Sequence, residues 1–482
     1  MIGLFAYTMT HRLSHDEQMY ITAGVLLKQY RLYQDFAYLQ MPYLPWVYRW
    51  VYQLTGTSHY LLWGRLVTFG FSAATVGLAY LIGYQVSRRP AIAIMGMVLM
   101  AFHQLIQEVM GYSTNNMMAM AFSLLGVSVF LASCSTQGVK PWGVLGSGVA
   151  IAIAIGAKLY YAAVLPPFLL VASFYPGLGN LSQRFWQIIF PFLAGVALGL
   201  LPVGYYLLTN FPLFHFNNLG YHLTNTEWRR LSGHTIAMSL PSKLDYLRWI
   251  LSFPSSILLL IGIAVSTLVL GRKQCHSLES ALTLLLVGFT TLAAITPTPL
   301  FIHYFAMPAS FAILWLTCQL SNGYGMRLVL SILAAMAIAL NSPLYFHALQ
   351  KLPNPHHWRG VAIHQTAQEI RQSLGILNST EKIATLSPIY ALEANFPIYR
   401  ELATGPFLYR VGDLLSASQR QQMIGTSPET LEQLFQDNPP VGILVGFGRD
   451  LDQALIEYAQ KYQYRQLPQD FNGATLYVQP SK

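Results

Sequence analysis

The chain has 482 residues, of which 54% are hydrophobic and only 10% charged, with a mean hydropathy of +0.42. Soluble domains carry about 25% charged residues, so the composition argues against a soluble protein and predicts a polytopic helical membrane protein. The formal net charge of +9 is read as cationic loops between spans, and no nucleic-acid partner is expected.

Residues 1–10 are apolar but too short to span a bilayer, and they lack the charged n-region and cleavage site of a signal peptide; they read as the outer half of a first span. A long loop, 11–59, follows, with amphipathic helices expected at 17–29 and 45–54. Apolar segments then alternate in direction. Residues 60–86 run inward to Arg88-Arg89, and 91–106 run outward. Residues 116–134 return to Lys140, 142–157 go out, and 159–174 come back to the Arg184 loop. Residues 186–208 go out to a second long loop, 209–252. The last spans are 253–270, ending at Arg272-Lys273, then 278–295, 300–316, and 327–341, which follows Arg327. The total is about eleven spans, each near the length that crosses a hydrocarbon core. Loops rich in Lys and Arg face the cytoplasm, which puts 11–59 and 209–252 on the outer side.

The tail changes character. Domain 1–342 is transmembrane, and 343–482 reads as a soluble α/β domain on the outer face. Helices are expected at 361–374, 430–436 and 451–461, and strands at 382–386, 441–445 and 474–478. Gly446-Phe447-Gly448 follows a strand, but it lacks the spacing of a dinucleotide fingerprint and reads as a turn. Cys134, Cys275 and Cys318 form neither a disulfide framework nor a zinc spacing.

Ionisable groups near spans are costly and point to function. The chain has 19 Asp and Glu, and three of them crowd the first loop: Asp16, Glu17 and Asp35. On the expected topology Asp16, Glu17, Asp35, Glu108, Asn115, Asn116, Lys158 and His303 all lie at the outer ends of spans. They come from distant parts of the chain and are predicted to line one cavity. Lys158 lies between two apolar runs; it either snorkels to the interface or offers a point charge to a lipid-linked phosphate. His303-Tyr304 is either an interfacial aromatic pair or a second contact to that phosphate. Asn115 and Asn116 either cap a helix or line the cavity. Arg65 either pairs with a loop carboxylate or binds ligand. Asp16 and Asp35 have the same two roles open to them, local capping or function. Asp16, Glu17 and Asp35 together would suit a divalent cation.

The motif Asp16-Glu17-x-x-Tyr20, followed by Tyr33-Gln34-Asp35-Phe36 and Met41-Pro42-Tyr43-Leu44-Pro45, resembles the first outer loop of the GT-C glycosyltransferases. That superfamily includes protein O-mannosyltransferases and the aminoarabinose transferase that modifies lipid A. The resemblance continues through Arg65, Asn115-Asn116, Gly156-Ala157-Lys158 and His303-Tyr304…Pro308. It implies a membrane glycosyltransferase with an outward-facing site in the plasma membrane. The donor it implies is a polyprenyl-phosphate sugar, transferred with inversion to a hydroxyl of a lipid, glycan or protein. Asp16 would be the base, and Lys158 and His303 would hold the phosphate. Members of the superfamily often carry Asp where this chain has Asn115 or Asn116, and Arg where it has His303. The alternative is a transporter or lipid flippase, which would place its charges near the bilayer midplane, often in repeated halves; no repeat is evident here. A non-catalytic scaffold is the third reading.

Overall fold

The computed structural model describes residues 1–135, 138–174, 180–270, 277–320, 324–375 and 380–480. Arg272, Lys273 and Cys275 lie outside the described residues. Backbone polar groups in hydrocarbon must be satisfied within their own segment, and the long apolar runs accordingly fold as helices. Tyr60–Ser87, Asn115–Ser133, Leu278–Ile295 and Arg327–Lys351 are each long and apolar enough to cross a membrane. Three bent helix pairs pass the same test together, each a broken span or a re-entrant loop: Pro90–Phe102 with Gln104–Met110 at 65°, Leu181–Gly199 with Leu201–Thr209 at 56°, and Leu240–Leu251 with Pro254–Leu268 at 83°. Length and composition thus give four spans, or seven if each bent pair counts as one, beside the eleven apolar segments of the sequence. Pro141–Ala157 and Leu159–Phe174 are shorter apolar helices, because the chain breaks between them at Lys158 and restarts as a 3₁₀ turn, Leu159–Val164.

The first loop forms helices at His15–Leu26 and Tyr43–Thr55. The last long helix runs Tyr324–Lys351 and passes through Pro343. The boundary expected at 342/343 therefore falls inside a helix; Pro343 did not stop it, as proline often fails to do in apolar helices. Beyond Lys351 the chain is mixed α/β. Strand Ile383–Thr385 pairs parallel with Gly442–Val445. Gly442–Val445 pairs antiparallel with Thr475–Val478, in the register Ile443↔Tyr477. Arg465–Gln466, unforeseen in the sequence, adds an antiparallel edge. Helix Gln453–Lys461 covers the sheet through a core that includes Ile443, Leu455, Tyr458 and Tyr477. The Gly446 turn is closed from within: its N–H and that of Gly448 donate to Asp452 Oδ2 at 2.7 and 2.8 Å.

The α/β part packs on the helical part near the first loop. Gln18 Nε2 donates to Ser387 Oγ at 3.2 Å, and Leu61 N–H donates to the buried carboxylate of Glu393 at 2.8 Å.

Candidate active site

Ser14 starts the first loop helix. Its hydroxyl accepts from the helix backbone while Glu17 Oε2 accepts from Ser14 N–H at 3.0 Å, a reciprocal capping box. Successive helical residues point about 100° apart, and the two adjacent acids part company here. Glu17 turns inward and is 0% exposed, as is Arg65, with which it forms a two-pronged ion pair at 2.9 and 3.1 Å. Its Oε1 also accepts from Ser113 N–H at 2.9 Å. The remaining donors of Arg65 go to the carbonyls of Thr8, Met9, His11 and Arg12. This pair clamps the first helix, the loop and two neighbouring spans. Glu17 and Arg65 are therefore corrected from ligand binding to architecture, and the Ser14-x-x-Glu17 spacing was the readable signal for it.

Asp16 takes the other direction. It is half-buried; its carboxylate makes no side-chain hydrogen bond and enters none of the ion pairs among the described residues. Capping is done by Ser14, not by Asp16. The charges acting on it are Lys158, Arg410 and His15, and in the opposite sense Glu17, and it acts in turn on Tyr20, Tyr221, Arg229 and Tyr304. Burial raises its pKa above the ordinary carboxylate value, against the pull of Lys158, then Arg410 and His15.

Lys158 reaches this set because Pro141–Ala157 ends in an extended residue, with φ −152° at Lys158. Asn115 Nδ2 donates to Ala157 O at 2.8 Å and fixes that break. Lys158 is only 7% exposed, which rules out snorkelling. Its Nζ donates to Asn116 Oδ1 at 2.5 Å and lies 4.9 and 5.5 Å from the ring centres of Tyr160 and Tyr304. Asn116 Nδ2 donates to Thr114 Oγ1 at 2.8 Å, which aims its oxygen at the lysine. Burial lowers Lys158 to about 7, with Asp16 opposing. Gly156 is required two residues earlier: a Cβ there would lie 2.3 Å from the Tyr43 ring.

His303 and Tyr304 sit on the 3₁₀ turn Ile302–Phe305, with ring centres 4.5 Å apart. Tyr304 meets Tyr160 at 5.6 Å. Burial, reinforced by Lys158, depresses His303 well below the ordinary imidazole value. That shift disfavours the charged form of His303. His222, also near Lys158, is lowered to about 4 mainly by burial.

Two cations in this set had no signal in the sequence. Arg410 lies on helix Pro406–Val411 of the α/β part. It donates to Asn225 Oδ1 at 2.8 and 3.1 Å and to Tyr221 Oη at 3.2 Å, and stacks between Trp228 and Phe407. Gly405 lets that helix start: its φ is +59°, and a Cβ would lie 2.7 Å from Leu386 O. Arg229, on helix Tyr221–Leu231, has a buried Nε without a partner and stacks on Phe301.

The structure thus brings Asp16, Asn116, Lys158, His303 and Tyr304 together, with Asn115 behind them. It does not bring Asp35, which pairs with Arg31 through both oxygens at 3.0 and 3.1 Å across a turn. Glu108 also falls outside the set, near Arg12, Tyr7 and Tyr112. The three-carboxylate cation site is therefore not assembled: among the described residues no group of three His, Cys, Asp or Glu side chains could hold a metal. One flexible acid facing fixed cations and phenols can take a proton on one side while an anion is held on the other.

No family model matches the chain, and no curated protein matches it. Solved structures do. ArnT from Cupriavidus metallidurans bound to undecaprenyl phosphate superposes with a TM-score of 0.70 at 12% identity, covering 99% of this chain and 96% of that one. The same enzyme in the apo state gives 0.67 at 11%, covering 99% and 95%. The Archaeoglobus fulgidus oligosaccharyltransferase tethered to an acceptor peptide containing the NVT sequon gives 0.51 at 12%, covering 98% of this chain and 70% of that one. From its first loop to its α/β tail, the chain shares the fold of ArnT from Cupriavidus metallidurans.

Proposed function

We propose that the chain is a multi-pass glycosyltransferase of the plasma membrane. It moves a sugar, hexosyl or pentosyl, from a polyprenyl-phosphate-linked donor to a hydroxyl of a lipid, glycan or protein acceptor. The observation that carries this reading is the unpaired Asp16 carboxylate facing Lys158, Arg229 and Arg410. The fold shared with a structure holding undecaprenyl phosphate supports a lipid-linked donor.

Asp16 takes the proton of the acceptor hydroxyl, whose oxygen bonds to the anomeric carbon. The bond from that carbon to the phosphate oxygen breaks, and the polyprenyl phosphate leaves with the electron pair. Fixed cations aimed at the phosphate stabilise the charge it gains, and they need no reorganisation to do so. Attack from the Asp16 side opposite the leaving phosphate inverts the anomeric centre. His303 and Tyr304 serve the phosphate as hydrogen-bond donors. Lys and Arg in the opposite loops orient the cavity outward.

The test is reconstitution of the purified protein in liposomes with radiolabelled hexosyl and pentosyl polyprenyl phosphates and cell-envelope acceptors. The reading expects acceptor-dependent release of polyprenyl phosphate. Label that crosses the bilayer with its sugar–phosphate bond intact would overturn it in favour of a flippase.

A further inference from the structure

A second cleft lies in the α/β part and shares no residue with the Asp16 cavity. It encloses about 800 Å³ and is lined by Phe435, Tyr458, Tyr462 and Tyr464 together with Gln433, Gln436 and Gln479. The rings form one cluster: Tyr458 lies 4.9 Å from Phe435, 4.4 Å from Tyr462 and 6.0 Å from Tyr464. Tyr458 and Tyr464 are buried in the core and Tyr462 is exposed.

Exposed aromatic rings are normally mobile. Tyr462 is not free to swing: its hydroxyl bonds to Glu432, whose carboxylate also holds Lys461 Nζ at 2.7 and 2.9 Å. The side-chain amides of Gln433, Gln436 and Gln479 make no hydrogen bond among the described residues. Each offers two donors and an acceptor to a ligand. Among the described residues, the one charged side chain lining the cleft, Glu432, is neutralised by Lys461 beside it.

We infer that this cleft binds a neutral oligosaccharide. The pinned, exposed Tyr462 ring, backed by the buried rings of Phe435, Tyr458 and Tyr464, gives flat apolar area at little entropic cost, which suits the C–H face of a sugar ring, and free amides suit hydroxyl groups that both donate and accept. The neutrality of the wall disfavours phosphates and acidic glycans. Its volume is that of a small-molecule site, about 300–1,000 Å³, enough for a few sugar units. The site is independent of the transfer chemistry and binds without turnover.

The experiment uses the full chain in nanodiscs, since sugar-headed detergents would compete. Hexasaccharides of glucose, mannose, galactose and N-acetylglucosamine are titrated by calorimetry, with oligogalacturonate and a proline-rich peptide alongside. At least one neutral hexasaccharide should saturate below about 10 mM, in the range of weak specific binding. Tyr462→Ala and Gln436→Ala, both at exposed positions, should each weaken it about tenfold, the effect of losing a central contact, with unchanged thermal melting. Asp16→Asn should leave it unchanged. The inference is overturned if no neutral hexasaccharide saturates, if only the acidic glycan or the peptide binds, or if Asp16→Asn rather than Tyr462→Ala abolishes binding.

Discussion

Glu17→Gln separates two neighbouring acids that look alike in the sequence. Glu17 accepts four hydrogen bonds, two on each oxygen: Arg65 Nε at 3.1 Å and Ser113 N–H at 2.9 Å on Oε1, Arg65 Nη2 at 2.9 Å and Ser14 N–H at 3.0 Å on Oε2. A glutamine has one oxygen, so two of these donors face an amide NH₂ instead. Arg65 is left buried without its counter-charge. Breaking a buried ion pair by removing one partner costs about 3–5 kcal/mol, and two orphaned donors at about 1–3 kcal/mol each reach the same range. Glu17→Gln should therefore lower the melting temperature of the purified protein markedly. Asp16→Asn, one residue away, should not, because its carboxylate has no partner to lose. The double variant Glu17→Leu with Arg65→Met should not recover the loss, since it also strips the carbonyls of Thr8, Met9, His11 and Arg12 and the N–H groups of Ser14 and Ser113 of their partners. Thermal unfolding followed by tryptophan fluorescence, together with transfer activity, reads both effects. Glu17→Gln that melts like the wild type yet transfers no sugar would refute the assignment of Glu17 to architecture.

Lys158 loses its charge as pH rises through about 7, while Asp16 loses its basicity as pH falls through its raised value. The pH profile of kcat/KM should be bell-shaped, and Lys158→Arg, always charged, should move the alkaline limb upward; an unmoved limb would exclude Lys158 from it. Arg410→Ala should raise the KM for lipid donor about tenfold, the loss of one charge-assisted contact; an unchanged KM would remove Arg410 from the site. Gly156→Ala should drive Tyr43 aside at about 1–3 kcal/mol of overpacking and lower kcat through Lys158; full activity would show that the Lys158 position tolerates the shift.

The sequence disclosed the helical membrane architecture through apolar run length, and the C-terminal strands 441–445 and 474–478 to within a residue. It also disclosed that Asp16, Lys158 and His303 meet, because charge at span ends is confined to one depth. It did not disclose how the acids divide their work, since Asp16 and Glu17 differ only in their direction around a helix. Arg410 was invisible for a different reason. Nothing local marks it, and it enters the set only when Asn225 and Trp228, 185 residues away in the case of Asn225, receive it. The bends at His103 and Leu200 were hidden too, because hydropathy reports the length of an apolar run and not its straightness.

The most direct measurement is the single-turnover rate of sugar transfer from saturating lipid donor, wild type against Asp16→Asn, at matched insertion and folding. A general base contributes about 10²–10⁴-fold, and a loss of that size with donor binding retained is the predicted result. A variant that transfers at the wild-type rate would contradict the account.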